Sequence, residues 1–319
     1  SRGAVPEQAR QRRVEWRSTT PGAAPRSLSE ERGDETKRVP DRVGVIGGGR
    51  MGAGIAHAFL LAGAHVVVVE RDPDAARAAS DRIDVAIDRS VEKNAADRPA
   101  GELRAAVETA TEAAALTGCR LVIEAVPEDR ALKVEALARA ENVLSPEAVL
   151  ATNTSSIPIG VLARGLARPG RFLGLHFFNP VPASALVEIV VGAATEPALV
   201  DDARGWVRAI GKTPVVVRDS PGFASSRLGV ALALEAIRML EEGVAEAADI
   251  DAAMELGYRH PVGPLRTTDL VGLDVRLGIA EELHRTLGDR FAPPDLLRRM
   301  VADGRLGRKS GRGFYEWSQ

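Results

Sequence analysis

The chain has 319 residues, 45% of them hydrophobic and 27% charged, with a formal net charge of −2. That balance excludes a fibrous or low-complexity protein and gives no reason to expect nucleic acid or an anionic membrane as partner. The length suits two domains, and no stretch approaches the roughly 20 apolar residues of a membrane span, so the cytoplasm is the expected location.

Residues 1–40 are rich in Arg, Pro, Ser, Gly, Glu and Ala and nearly devoid of large apolar side chains, the composition of a disordered extension. They lack the apolar core of a signal peptide. Their acids, among them Glu7, Glu15, Glu30 and Glu31, argue against a transit peptide.

Residues 43–70 carry the densest signal. An apolar run, 43–46, leads into Gly47-Gly48-Gly49-Arg50-Met51-Gly52, a G-x-G-x-x-G. Met51, Ile55, Ala58, Phe59 and Ala62 then recur at helical spacing, and a second apolar run, 66–69, ends on Glu70. Strand, glycine turn, helix, strand and terminal acid in that order are the fingerprint of a dinucleotide site. Gly47 permits the tight turn, Gly49 lets the backbone approach a pyrophosphate, and Gly52 lets the helix pack against the strand. The helix's free N–H groups face the phosphates. Glu70 lies about 20 residues on, where a carboxylate accepts from ribose hydroxyls and repels a 2′-phosphate, favouring NAD over NADP. Arg71 beside it softens that preference.

From 42 to 217 strand-like and helix-like runs alternate. Asp72 as N-cap and Pro73 in the first turn predict a helix over 74–93. A second helical arm is expected over 102–115, then a strand over 121–125. Cys119, the single cysteine, reads as a buried small hydrophobe. A helix over 129–143, a strand over 149–153, and a short helix over 157–166 capped by Ser155 or Ser156 follow. Strands at 172–177, 186–191 and 214–217 flank a helix at 196–210. This pattern predicts a mostly parallel, doubly wound sheet with helices on both faces. Beyond Asp219 only helices are expected, at 223–242, 249–256 (ended by Gly257), 265–271, 273–287 and 295–302. The expected fold is therefore α/β, a Rossmann-type domain over 41–218, with an all-α domain over 219–319.

A second constellation sits at strand ends, where ligands bind in such sheets. Residues 151–156 read Ala-Thr-Asn-Thr-Ser-Ser, and His176 lies in Gly-Leu-His-Phe-Phe-Asn-Pro. A histidine there is a candidate general base. Glu188 stands inside the apolar run Leu-Val-Glu-Ile-Val, where an unpaired charge would be costly; pairing with an imidazole resolves that cost and orients the ring. His57, His65, His260 and His284 read as structural, and no Cys/His/Asp cluster has metal-ligand spacing.

At this point the chain resembles the L-3-hydroxyacyl-CoA dehydrogenases. The matching motifs are VGVIGGGRMGAGIA, VIEAVPED, ATNTSS, GLHFFNPVP, LVEIV, DSPGF, PVGPL with DLVGLD, and GRKSGRGFYEW, running from about residue 43 to 317. The resemblance implies oxidation of a 3-hydroxyacyl-CoA, short-chain as in 3-hydroxybutyryl-CoA, or the reverse reduction. It implies His176 as base, Glu188 as its support, and Ser155 as hydrogen-bond donor to the substrate oxygen. It places Gly47, Gly49, Arg50, Met51, Gly52 and Glu70 at one end of NAD and Glu128, Lys133, Asn153 and Asn179 near the nicotinamide. Arg89 and Lys93 are positioned for the CoA adenosine end, and the helical domain for a homodimer. One departure stands out: the family's P-G-F-x-x-N-R segment here reads Pro-Gly-Phe-Ala-Ser-Ser-Arg, with Ser226 in the Asn place. Serine is a shorter donor and acceptor beside the thioester. A carrier-protein thioester or a free hydroxy acid as substrate, and an NAD-binding protein with little turnover, stay open as other readings.

Overall fold

A computed structural model describes residues 38–318; the extension expected over 1–40 lies outside the described residues apart from 38–40. β1 (Arg42–Ile46) and β2 (His65–Val69) are almost wholly buried on both faces, the mark of strands inside a parallel sheet. They flank α1 (Arg50–Leu61). α2 (Pro73–Glu92) starts as the sequence predicts: the Asp72 carboxylate accepts from the Ala75 amide at 2.7 Å, with Pro73 in the first turn.

The next segment departs from expectation. α3 (Ala100–Ala105) is short, and β3 (Val107–Ala110) pairs in parallel with β2 where a continuous helix to 115 was predicted. Val107 and Thr109 are β-branched, and the unpaired edge of β2 offers their backbone a ladder that outweighs the helix preference of the flanking alanines.

β4 (Leu121–Glu124), α4 (Arg130–Glu141), β5 (Val149–Thr152) and α5 (Ile159–Ala163) continue the alternation. α5 has Pro158 at its N-cap position and no side-chain cap. The predicted Ser155 or Ser156 cap is corrected by the structure: Thr154 Oγ1 accepts from the Ile157 amide at 2.9 Å, and both serines turn to Glu128 instead. β6 (Phe172–Phe177), β7 (Leu186–Val191), α6 (Pro197–Ala209) and β8 (Thr213–Arg218) complete the sheet, whose order is β3-β2-β1-β4-β5-β6-β7-β8.

Every pairing is parallel except β6 with β7. Residues 178–185 hold no crossover helix, so the chain turns back on itself there. The two strands then register with His176 directly opposite Glu188. α1, α2 and α6 cover one face of the sheet through Ile55, Phe59, Ile83, Ile87, Leu199 and Trp206. α4 and α5 cover the other through Leu137, Ala140, Ile159 and Leu162.

The helical part comprises α7 (Ser225–Glu241), α8 (Ala247–Tyr258), α9 (Pro264–Val271), α10 (Leu273–Leu287) and α11 (Asp295–Ala302). It has a core of its own around Val230, Leu234, Ile237, Leu265, Leu273 and Leu283. α8 does not stop at Gly257 as predicted. It runs to Tyr258 and ends on Arg259, held in the left-handed conformation at φ 60°. No described helix is long and apolar enough to cross a membrane.

Candidate active site

The chain order reverses at β1, which has β2 on one side and β4 on the other. The glycine turn sits at that switch point, where open α/β sheets bind ligands. Gly47 adopts φ +91°, which a side chain would resist, and donates to Val69 O at 2.9 Å. A methyl group at Gly52 would run into the carbonyl oxygen of Gly47, so α1 can approach β1 only with glycine there. A methyl group at Gly49 would meet nothing within 4 Å. Its bareness serves no packing inside the chain and fits the close backbone approach that a pyrophosphate needs. Glu70 Oε1 accepts from the Gly48 amide at 2.6 Å and Oε2 from the Arg71 amide at 3.1 Å. The carboxylate thus braces the turn and keeps lone pairs for ribose hydroxyls. These residues fit a dinucleotide.

Further along the cleft Glu124, buried at the end of β4, holds Lys133 Nζ at 2.8 Å and accepts from Thr152 Oγ1 at 2.6 Å. Lys133 Nζ also donates to Val126 O at 3.1 Å and lies 3.3 Å from Glu128 Oε2. The buried lysine is thus spoken for; it anchors Glu128 at the wall of the cleft. Glu128 accepts in addition from Thr154 Oγ1 at 2.6 Å, from the Ser155 and Ser156 amides and from Ser156 Oγ at 3.0 Å. Burial alone would raise its pKa, but Lys133 and these donors outweigh burial and hold it below the usual carboxylate range. The Ser155 hydroxyl reaches Glu128 only at 3.4 Å, a long bond that leaves it available to a ligand. Asn153 is fixed by the Phe177 amide, which donates to its Oδ1 at 2.8 Å. Thr152 and Thr154 lie in the polar run 151–156 that the sequence marks as a site, without individual roles, and Glu124 escaped notice. An acid closing the apolar strand Leu-Val-Ile-Glu was the available signal, of the same kind that flagged Glu188.

The antiparallel β6–β7 register brings His176 Nδ1 to 2.8 Å from Glu188 Oε2, with His176 6% and Glu188 1% exposed. The ring lies against Phe178 and Phe223, centroids at 4.4 and 5.7 Å. Glu188 also accepts from the amides of Ala224 and Ser225, at 3.1 and 2.8 Å, and from Ser225 Oγ at 2.7 Å. Burial pushes its pKa up, and His176 and Ser225 more than reverse this, leaving it below the usual range. An ionised Glu188 fixes the tautomer with the proton on Nδ1, so Nε2 presents its lone pair. Ser225 was not anticipated; nothing in its sequence neighbourhood distinguishes it from an ordinary residue opening a helix.

One cleft of about 1420 Å³ joins these parts, lined by Gly47, Gly49, Arg50, Met51 and Glu70 at one end and by Glu128, Asn153, Ser155, His176, Asn179 and Ser226 at the other. Gly52 lies beneath it, buried. Arg89 and Lys93 are not brought to it: both are exposed at the C-terminal end of α2, away from the residues that line the cleft. Among the described residues no group of three His, Cys, Asp or Glu side chains is placed to hold a metal ion.

A dinucleotide cradle and a carboxylate-steadied imidazole sharing one cleft define a nicotinamide-dependent oxidoreductase. Residues 42–220 match the family model described as 3-hydroxyacyl-CoA dehydrogenase, NAD binding domain, and residues 222–317 that of the C-terminal domain. The chain belongs to the 3-hydroxyacyl-CoA dehydrogenase family. It is 42% identical over 280 residues to a 3-hydroxybutyryl-CoA dehydrogenase of Mycobacterium tuberculosis, covering 86% of this chain and 98% of that one. It is 36% identical over 290 residues to the human mitochondrial hydroxyacyl-coenzyme A dehydrogenase, covering 88% and 92%. The crystal structure of (S)-3-hydroxybutyryl-CoA dehydrogenase from Ralstonia eutropha superposes with a TM-score of 0.84 at 37% identity, covering 88% of this chain and all of that one.

Proposed function

We propose that the protein interconverts a 3-hydroxyacyl-CoA and its 3-ketoacyl-CoA, with short-chain substrates such as 3-hydroxybutyryl-CoA as the starting class. The His176–Glu188 pair, 2.8 Å apart and opening on the same cleft as the glycine turn, carries this reading. The glycine turn would hold NAD, which would supply the acceptor for the hydride from C3 and its donor in reduction. His176 Nε2 takes the proton of the 3-hydroxyl as the ketone forms and gives it back in reduction. Glu188 keeps the ring in the basic tautomer and steadies its charged form. Ser155 donates its hydroxyl to the substrate oxygen, and Asn153 and Asn179 line the same end. Gly47, Gly49, Arg50, Met51, Gly52 and Glu70 hold the adenosine and pyrophosphate, with Glu128, anchored by Lys133, toward the nicotinamide. The division of labour follows domains at 41–218 and 219–319. Arg89 and Lys93, being exposed cations on α2, serve the adenosine end of CoA from outside the cleft. Exposed apolar side chains on the helical part, Leu228 and Leu256 among them, support a homodimer through that part, working in the cytoplasm.

The test is NADH consumption with acetoacetyl-CoA, run beside acetoacetate and a His176→Ala variant. Turnover of the thioester is expected, and the substitution should lower kcat by about 10²–10⁴-fold while NADH binding persists. Binding of NADH with no thioester turnover would sink the reading.

A further inference from the structure

Arg276, on α10, lines the cleft from the helical side and is only 9% exposed. Its Nε is sealed from solvent with no hydrogen-bond partner. Arg42, Arg171 and Arg305 also bury Nε unpaired, but each sets a terminal nitrogen on an acceptor: Glu108, Glu147 O and Gly313 O. No guanidinium nitrogen of Arg276 has a hydrogen bond or ion pair among the described residues. The nearest acid in sequence, Asp274, is engaged by Lys309. Burial lowers the Arg276 pKa to about 10, so the group stays cationic at neutral pH.

Room for the guanidinium is made by Gly229 on α7. A methyl group there would stand 3.2 Å from Arg276 Nη1, tighter than ordinary contact. Gly229 lies one turn along α7 from Ser226, on the same face. The neighbouring Ser225 is bonded to Glu188 and through it to His176. The cation is thus set just past the reacting end of the cleft, among the apolar Val275 and Ile279. A buried, unpaired guanidinium is costly unless an anion completes it, and its planar fork matches a carboxylate.

We infer that Arg276 is the seat for a carboxylate carried by the substrate, so that the group oxidised at C3 belongs to an acidic molecule. This rests on the dehydrogenase reading and narrows its substrate class. The carboxylate has two possible sources, the far end of an acyl thioester or the acid group of a free 3-hydroxy acid.

The experiment compares the wild type with Arg276→Met and Arg276→Lys on acetoacetyl-CoA, on 3-ketoadipyl-CoA (a thioester ending in a carboxylate) and on acetoacetate. Thermal unfolding with and without glutarate is measured alongside. The wild type should prefer an acidic substrate, and Arg276→Met should cut kcat/KM for it, relative to acetoacetyl-CoA, by about 10–100-fold. Arg276→Lys should restore part of the preference. Loss on 3-ketoadipyl-CoA assigns the carboxylate to the acyl end; loss on acetoacetate assigns it to a free acid. Glutarate should raise the melting temperature of the wild type and not of Arg276→Met, whose ligand-free form should itself melt higher for want of a buried charge. A wild type that turns over acetoacetyl-CoA through His176 with no acidic preference, and an equal glutarate shift in both proteins, overturns the inference and leaves the dehydrogenase reading standing. If neither thioester is turned over, that reading fails, and the glutarate shift judges Arg276 by itself.

Discussion

Glu188 is heavily engaged behind the imidazole of the cleft. It accepts from an imidazole, two backbone amides and a hydroxyl, and all of them favour its anion. Glu188→Gln keeps the shape and loses the charge. It should lower kcat by about 10–100-fold, a cost of about 1.4–2.8 kcal/mol in transition-state stabilisation, with NADH affinity unchanged. Steady-state kinetics beside NADH titration checks this; equal kcat would remove Glu188 from the proton-transfer unit. Ser225→Ala deletes one donor of the set and should cost about 1 kcal/mol, roughly a fivefold fall in kcat. An effect as large as that of Glu188→Gln would mean that the serine acts on the substrate itself. Sequence made the His176–Glu188 pair legible because a lone acid in an apolar strand demands a partner. Ser225 and Arg276 were opaque, since a serine opening a helix and an arginine within one are each ordinary. The meeting of α7 with Glu188 on β7 gives the first its meaning, and the packing of α10 against Gly229 of α7 the second.

At the level of elements, the glycine turn separates two kinds of necessity. Gly52 is required by the chain's own packing, because its face meets the Gly47 carbonyl; Gly49 faces open space. Gly52→Ala should therefore lower the melting temperature markedly in the absence of any ligand. Gly49→Ala should melt like the wild type and lose NAD binding, by calorimetric titration, through a methyl group set in the path of the pyrophosphate. Equal destabilisation by both would show that the turn is constrained by folding alone. The same stretch was the easiest to read in the sequence, since each glycine answers a local backbone demand. β3 was the hardest. Its residues, Val-Glu-Thr-Ala, carry too little pattern in so short a run, and their strand character is settled by the open edge of β2. Sequence alternation likewise predicted a mostly parallel sheet without revealing that β7 is the strand that runs back along β6, because a strand's direction depends on what the link before it can span.

At the scale of the whole molecule, the exposed apolar surface of the helical part predicts self-association. Leu228 and Leu256 are 71% and 84% exposed. Leu256→Glu should shift the mass measured by light scattering from dimer to monomer, whereas a wild type already monomeric would dispose of the homodimer. Acid provides a second probe. Glu188 and Glu128 both have pKa values depressed in the folded state. Their contribution to stability is in full force above the ordinary carboxylate value, about 4.3, and is lost as pH falls through their lower folded values. Denaturation midpoints measured across that acidic window should fall more steeply for the wild type than for Glu188→Gln. The amides that Glu188 accepts open α7, the first helix of the helical part, which has no cap from its own sequence. The acid that steadies the base is thus also a bolt joining the two halves of the chain. Protonating it would disarm the imidazole and slacken that joint in one event, so loss of turnover in acid and loosening of the cleft's far wall should arrive together, as a single fuse.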